Sequence, residues 1–482
     1  MKTLITVLFT ISACIYLSGQ TSFVQRSIDP DHTAVSGIAA VDFDRDGDVD
    51  VIANHRVIDK VIIWENDGNM QPGWNMKLLS EQVIGPMYIF AGDVNADSLP
   101  DLVISSAATN SLYCFINTDG LNHWDVYIMD DTFEVAHGVC IEDINNDGLP
   151  DIIATAAGDN MVAWWENNGL APDTWTKTVI SDQMNGSQTV TASDMNNDGF
   201  MDIVAASSDL NKVVVYFNNG DTIPSFYEQI ACQTLMLPHW VSVADIDDDG
   251  NKDILVAACS SGKIAWLKND GDSIINWTQH TIGSNFGCSL TVEAADFDMD
   301  GDLDVAATAY GSNNVAWWEQ DTSNNQITWE LHMLSGNYKG AWPLVIADLE
   351  GDTDKDILTG GDLLNGLGNE SPLSVWENQM LMTGINKESM DEDESMKVFP
   401  QPATDHIIIS YCLADKATVS IALYNMQGMK LGEPITEYQT AGNHRLEIQF
   451  SDMSAGLKPG MYICSLVAND IRINKKVLIT NN

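Results

Sequence analysis

One acidic loop recurs seven times along the chain. Its clearest copy reads Asp296-Phe297-Asp298-Met299-Asp300-Gly301-Asp302-Leu303-Asp304. Side-chain oxygens stand at loop positions 1, 3, 5 and 9, and glycine stands at position 6. The copies begin at Asp42, Asp93, Asp143, Asp194, Asp245, Asp296 and Asp348, spaced 50 to 52 residues apart. Repeats of that length build propellers or solenoids. Alternating carboxylates on a tight turn repel one another unless a cation lies between them. Ca²⁺ takes six to eight oxygens in a flexible shell, which this spacing supplies; Mg²⁺ demands a tighter octahedron. Glycine at position 6 permits the positive-φ turn that aims the carboxylates inward, with the position-7 carbonyl as the expected backbone ligand. Seven near-identical loops suit a scaffold better than a single catalytic metal.

Each period has the content of four short strands. An apolar strand such as Gly37 to Val41 enters the loop, and a β-branched run such as Val51-Ile52-Ala53 leaves it. A Trp-rich strand follows: Val61 to Asn66, Val162 to Asn167, Val315 to Glu319 and Ser374 to Asn378. The fourth opens on an aromatic and then alternates, as in Trp74 to Leu79, Trp124 to Met129 and Trp329 to Leu334. Alternation with period 2 marks a half-buried strand. Four strands make one propeller blade. The last repeat lacks its fourth strand, and Phe23 to Ile28 is a spare strand at the start. The expectation is an all-β fold: a seven-bladed β-propeller over residues 21–378, its final blade completed by the opening strand, so that no sheet edge stays open. A linear solenoid would not need that offset.

The pattern Asp-x-Asp/Asn-x-Asp-Gly-x-x-Asp, followed by Ile/Val-x-Ala and a Trp-containing strand, resembles the FG-GAP/VCBS repeat family, which includes the Ca²⁺-binding propeller of integrin α chains. The resemblance covers nearly all of 21–378. It implies calcium ligands at Asp42, Asp44, Asp46 and Asp50; at Asp143, Asn145, Asp147 and Asp151; at Asp194, Asn196, Asp198 and Asp202; at Asp245, Asp247, Asp249 and Asp253; and at Asp296, Asp298, Asp300 and Asp304. Two loops depart from the pattern. The set Asp93, Asn95, Asp97 and Asp101 has Ser98 at position 6. The set Asp348, Glu350, Asp352 and Asp356 has a longer carboxylate at position 3 and Thr353 at position 6. These two are expected to bind most weakly.

Residues 379–395 are acidic, lack apolar periodicity and read as a solvated linker. Residues 396–482 hold short alternating strands with Gly and Pro punctuation, the pattern of a small β-sandwich. Landmarks are Val398-Phe399-Pro400-Gln401-Pro402, Leu423-Tyr424-Asn425-Met426-Gln427-Gly428 and Lys458-Pro459-Gly460-Met461-Tyr462. This segment resembles the type A sorting domain of the type IX secretion system of Bacteroidetes, with Gln401 where the family commonly has Asn. The resemblance implies export across the outer membrane, with release or attachment at the cell surface.

Residues 1–20 read as a secretory signal: Lys2, an apolar run from Leu4 to Leu17, then small residues. A lipoprotein signal is the second reading, with Ile11-Ser12-Ala13 before Cys14. No later apolar run is long enough to span a bilayer. A net charge of −47 argues against nucleic acid or anionic lipid as partner. Cys114, Cys140, Cys232, Cys259 and Cys288 fall in predicted strands and read as buried small hydrophobes. Cys412 and Cys464 lie in two strands of the last domain, a pairing that spacing leaves open.

Function is then expected on the face opposite the loops. The residue six before each loop gives a ring: Ser36, Met87, His137, Gln188, His239, Leu290 and Trp342. Lining the channel mouth, with Tyr88, Trp240, His55, Arg56, Asp159, Asp209, Tyr310 and Tyr338 nearby, they would suit a glycan or protein ligand. An alternative is a polysaccharide lyase or related carbohydrate-active enzyme, with His137 and His239 as acid and base and Tyr88 or Tyr310 assisting. No Gly-x-Ser-x-Gly or His-Glu-x-x-His motif is present. A third reading is a purely architectural surface protein.

Overall fold

The computed structural model describes residues 21–378, apart from 33, 69–71, 222, 273–274, 323–325 and 363–369, and most of 396–480. The signal reading and the linker, save Gln379, lie outside the described residues. The chain divides into two compact units, 1–378 and 379–482.

The first unit contains seven four-stranded antiparallel sheets. Sheet 1 runs Val35–Val41, Asp50–His55, Lys60–Asn66 and Trp74–Ser80. The second strand of every sheet is buried along its whole length, which is why it is a run of Val, Ile, Leu, Ala and small polar residues. The fourth strand buries one side only, hence its alternation. The first strands line the centre. Val35–Val41 packs on Pro86–Gly92, and so on round to Ala341–Ala347, which packs back on Val35–Val41. Close approach of these strands needs glycine at one point. A Cβ on Gly138 would fall 2.7 Å from Thr189 Cα.

Ring closure uses three separate ties. Phe23–Asp29 pairs antiparallel with Leu373–Asn378, Phe23 opposite Asn378 and Val24 opposite Glu377, so the opening strand is the outer strand of the seventh sheet. Arg26 adds an ion pair to the buried Glu377. On the face opposite the acidic loops, Arg56 of sheet 1 clamps Asp362 of sheet 7 in a two-pronged pair, Nε–Oδ2 2.7 Å and Nη2–Oδ1 2.9 Å. On the loop face the third tie belongs to a belt that runs round the whole ring. An amide stands at or beside the end of each third strand: Asn66, Asn117, Asn167, Asn218, Asn269, Gln320 or Asn378. Its side-chain N–H donates to the carbonyl of the second loop residue in the preceding sheet. The pairs are Asn66–Leu349, Asn117–Phe43, Asn167–Val94, Asn218–Ile144, Asn269–Met195, Gln320–Ile246 and Asn378–Phe297, at 2.7 to 3.1 Å. Leu349 lies in the last sheet and Asn66 in the first, so the belt is closed.

In the second unit, Met396–Phe399, His406–Leu413 and Gly442–Gln449 form one sheet. Lys430–Gln439, Ala417–Asn425, Gly460–Ala468 and Ile471–Ile479 form the other. One cluster, with Ile407, Ile409, Val419, Ile421, Leu423, Leu466 and Val477, fills the space between them, the small sandwich expected.

The cysteine reading needs correction. Cys259 and Cys288 form a disulfide. The first sits in a turn of sheet 5 and the second in the connection into sheet 6. Turns of neighbouring sheets meet on one face, a proximity that sequence spacing does not carry. Cys114, Cys140 and Cys232 are buried free thiols, as read. Cys464 is also a buried free thiol; the side chain of Cys412 lies outside the described residues.

Arg56→Ala would leave the fully buried Asp362 without its counter-charge. Loss of one partner of a buried pair costs roughly 3 kcal/mol or more. The expected result is a lower thermal unfolding midpoint for the first unit.

Candidate metal centres and the central channel

Every acidic loop folds the same way. In the Asp143 loop, Asp143 Oδ1 accepts from the Asp147 N–H at 3.1 Å and Oδ2 from the Gly148 N–H at 2.8 Å. The other loops repeat the second bond, to Gly47, Ser98, Gly199, Gly250, Gly301 and Thr353. Position 6 takes a left-handed φ throughout, +89° at Gly148. Ser98 at +77° and Thr353 at +86° adopt it without being glycine. A β-branched residue there is strained.

Position 9 is the hub. Asp151 is fully buried and accepts from the Ile144 N–H at 3.1 Å and the Asn167 N–H at 2.7 Å. The same two bonds recur at Asp50, Asp101, Asp202, Asp253, Asp304 and Asp356. Position 9 thus holds the residue whose side chain ties to the preceding sheet. These acceptor roles call for carboxylates. Burial opposes that, pushing Asp50, Asp101, Asp151, Asp202 and Asp253 up to about 7 and Asp304 to about 8, against the two N–H donors that pull down. A cation at the loop would remove the conflict.

The residues present suit one. Carboxylate oxygens of Asp42, Asp44 and Asp50 lie within 4.8 Å of one another, as do those of Asp245, Asp247 and Asp253, and of Asp296, Asp298 and Asp300. Asp296 Oδ1 and Asp247 Oδ1 are buried without a hydrogen-bond partner. In the Asp93, Asp143 and Asp194 loops the position-3 residue is Asn95, Asn145 or Asn196, and its Oδ1 accepts from the N–H of Asp97, Asp147 or Asp198.

Two loops differ from the rest. The Asp348 loop, expected to be weak, carries an extra buried carboxylate that the sequence reading passed over. Asp354, at position 7, is 1% exposed, and neither of its oxygens has a hydrogen-bond donor. Glu350 Oε1 is equally unserved. Burial, then the crowding of Asp352 and Asp356, pushes Asp354 upward; burial, then Asp356, does the same to Glu350. The Asp245 loop carries its own cation. Lys268 takes the place of the Glu65, Glu166 or Glu319 found in other third strands, and its ammonium pairs with Asp247 and Asp249. Burial pulls that ammonium down, but the two carboxylates outweigh it and raise it.

Of the expected mouth residues, Ser36, Met87, Leu290 and Trp342 are buried, and His137, Gln188 and His239 are half-buried. Ser36 is buried and donates to Pro86 O at 2.7 Å. Met87, Leu290 and Trp342 are core. Tyr88 touches His137, Trp240 and Trp342, with ring centroids 5.9, 5.7 and 6.3 Å apart, and His239 touches Trp342 at 5.9 Å. Tyr310 packs against the same cluster. His137 Nδ1 pairs with Gln188 Oε1 at 3.1 Å and His239 Nδ1 with Leu290 O at 3.2 Å. Neither histidine bonds a tyrosine. Large side chains from the first strands converge here and narrow the mouth, with His137, Gln188 and His239 left half-exposed. His55 and Tyr338 are buried too, Tyr338 donating to Thr359 O at 2.9 Å.

FG-GAP-like repeats match residues 42–104, 93–154, 143–205, 194–256, 245–307 and 296–359. The chain belongs to the FG-GAP-like repeat family. A secretion system C-terminal sorting domain matches residues 397–480. That domain marks this FG-GAP protein for export by the type IX system to the cell surface or the medium, and implies contact with the secretion machinery. No helix among the described residues is long and apolar enough to cross a membrane. No curated protein matches the chain. Among solved structures, BBS1N from a complex with ARL6DN is 12% identical, with 73% of this chain and 94% of that chain covered at a TM-score of 0.48. A functionally unknown protein from Desulfotomaculum acetoxidans is 11% identical, with 68% and 98% covered at 0.44. Neither likeness carries an argument about function.

Two outcomes follow for the FG-GAP unit. Burial lowers His137 and His239 to about 4, helped at His239 by His137 and opposed by their hydrogen bonds. Between their ordinary 6.5 and about 4, the unfolded chain takes up protons that the folded chain refuses. Their contribution is complete above pH 6.5 and is lost as pH falls through 4, roughly 3 kcal/mol for each. Denaturant unfolding at pH 7 and 4.5 should show a smaller acid loss in a His137→Gln/His239→Gln double variant. Thr353→Gly relieves the strained φ and should raise the unfolding free energy by roughly 1 kcal/mol in calcium-free buffer, read by denaturant unfolding.

Proposed function

We propose that the chain is a surface-displayed binding module, stiffened by calcium and recognising a protein on the face opposite the acidic loops. The observation that carries this is the character of that face. Its turns, and not a dedicated cleft, offer the contact surface. They expose Val57, Ile58, Ile84, Leu210, Met236 and Leu237, with Met236 56% exposed. All six lie in second-to-third-strand turns or in connections between sheets, which meet at one end of the strands. Gly85 N bonds Asp59 Oδ1 there, and Leu237 N bonds Asn211 Oδ1. Exposed aliphatic side chains on the rim, in one set at sheets 1 and 2 and another at sheets 4 and 5, favour a protein partner over a sugar, which would stack on exposed aromatic rings.

Calcium acts here as a rivet. It would be held by positions 1, 3, 5 and 9, neutralising carboxylates that otherwise repel. The Asp348 loop, with its extra Asp354, is expected to fill first. The Asp245 loop is expected to fill last, since Lys268 already occupies two of its carboxylates. The test is calcium titration of the chelator-treated full chain by calorimetry, with thermal unfolding alongside. Chelation should lower the unfolding midpoint, and Lys268→Gln should add a tighter site. For the recognition face, a panel of surface proteins and glycans is probed with the full chain. A Val57→Asp/Leu210→Asp/Met236→Asp variant should keep its unfolding midpoint and lose protein capture. Capture of glycans alone, or capture untouched by the variant, would refute the face.

A further inference from the structure

Below the aromatic cluster the channel is not filled. A cavity of about 460 Å³ runs from Tyr88, Trp240 and Trp342 to the ends of the first strands beside the acidic loops. Its walls are mainly aliphatic, with Ala39, Ala91, Ala294 and Ala295 leaving the space. Near the closed end stands one carboxylate, Glu293. Trp240 Nε1 donates to its Oε1 at 2.9 Å. No cation pairs with Glu293 among the described residues. Lys355, the cation that lines the cavity, is exposed at the other end, next to Asp356. Tyr88 and Trp342, 6% and 3% exposed, put their polar atoms beside each other and bond no other side chain.

A lone acid in an alanine-walled channel is costly to retain for packing alone. Here it sits with three aromatic rings at the end of a cavity of ligand size. A carboxylate and aromatic faces together attract a compact organic cation, through charge and through the ring quadrupoles. The entrance lies among the acidic loops of a chain with net charge −47, which draws cations in. We propose that the channel is a binding site for a small organic ammonium compound, its charged nitrogen between Glu293 and the Tyr88–Trp240–Trp342 cluster and its apolar part along the alanine wall. Hard metal ions are poorly served there, because only one carboxylate is at hand. Burial pushes Glu293 up to about 7, against the pull of the Trp240 N–H, so the site is charged in mildly alkaline buffer. The site is independent of the recognition face.

Choline and its uncharged isostere 3,3-dimethylbutan-1-ol are titrated into the calcium-loaded full chain at pH 8, read by tryptophan fluorescence and calorimetry. Saturable choline binding at least tenfold tighter than the alcohol is expected. Glu293→Gln keeps the acceptor for Trp240 and should weaken choline at least tenfold with the unfolding midpoint unchanged. Should that variant fold poorly, Ala295→Trp, which blocks the entrance and leaves Glu293 in place, should abolish binding. Equal affinity for choline and the alcohol, no saturable binding, or binding unchanged in the folded variants would overturn the proposal.

Discussion

Seven amide-to-carbonyl hydrogen bonds set the register of this ring. Each runs from the end of one third strand to the loop of the preceding sheet, and the last returns to the first. A sheet in a ring has no backbone ladder to its neighbours, so side chains must provide the cross-links. Apolar packing supplies most of the attraction between sheets, but it has no fixed register. A buried amide that must find a carbonyl does fix one, because leaving either unpaired costs about 1–3 kcal/mol.

The belt explains why the loop is acidic at position 9. That carboxylate accepts the backbone N–H of both the loop's second residue and the belt amide. It therefore fixes the two partners of successive cross-links in one piece. Charge buried there is unfavourable on its own, and positions 1, 3 and 5 add more. On the proposed reading, the same geometry that locks the ring thus creates seven places where a cation would be stabilising. Lys268 is one solution written into the chain. The crowded carboxylates around Asp354 are the opposite extreme. Near-identical folds at each loop therefore do not mean near-identical affinity.

Much of this architecture was legible in the sequence. The spacing of the acidic loops, the four-strand content of each period and the unpaired strand at Phe23 led to a ring closed by its own beginning. The loop turns were also legible, and they persist at Ser98 and Thr353, where the expected glycine is absent. The Trp-rich third strands were legible, but the cross-linking role of Asn66 and its counterparts needs the neighbouring sheet to be in place. The same holds for Arg56 with Asp362 and for Cys259 with Cys288, whose partners are set by which turns share a face. The channel ring was legible as a set of equivalent first-strand positions, and the burial of Ser36, Met87, Leu290 and Trp342 was not. Sequence position gives direction along a strand, but not how far Tyr88, Trp240 and Trp342 reach across the axis. Glu293 was missed because one acid among so many has no signature until its surroundings are known to be alanine and tryptophan.

The dependence of the ring on its belt can be measured amide by amide. Hydrogen exchange in the calcium-loaded full chain reports the opening free energy at the Asn66, Asn117, Asn167, Asn218, Asn269, Gln320 and Asn378 backbone N–H groups. The account predicts that all seven exchange only through global unfolding, together and more slowly than the outer strands such as Trp124–Asp130. Exchange at these amides as fast as in the outer strands, or at widely different rates around the ring, would contradict it.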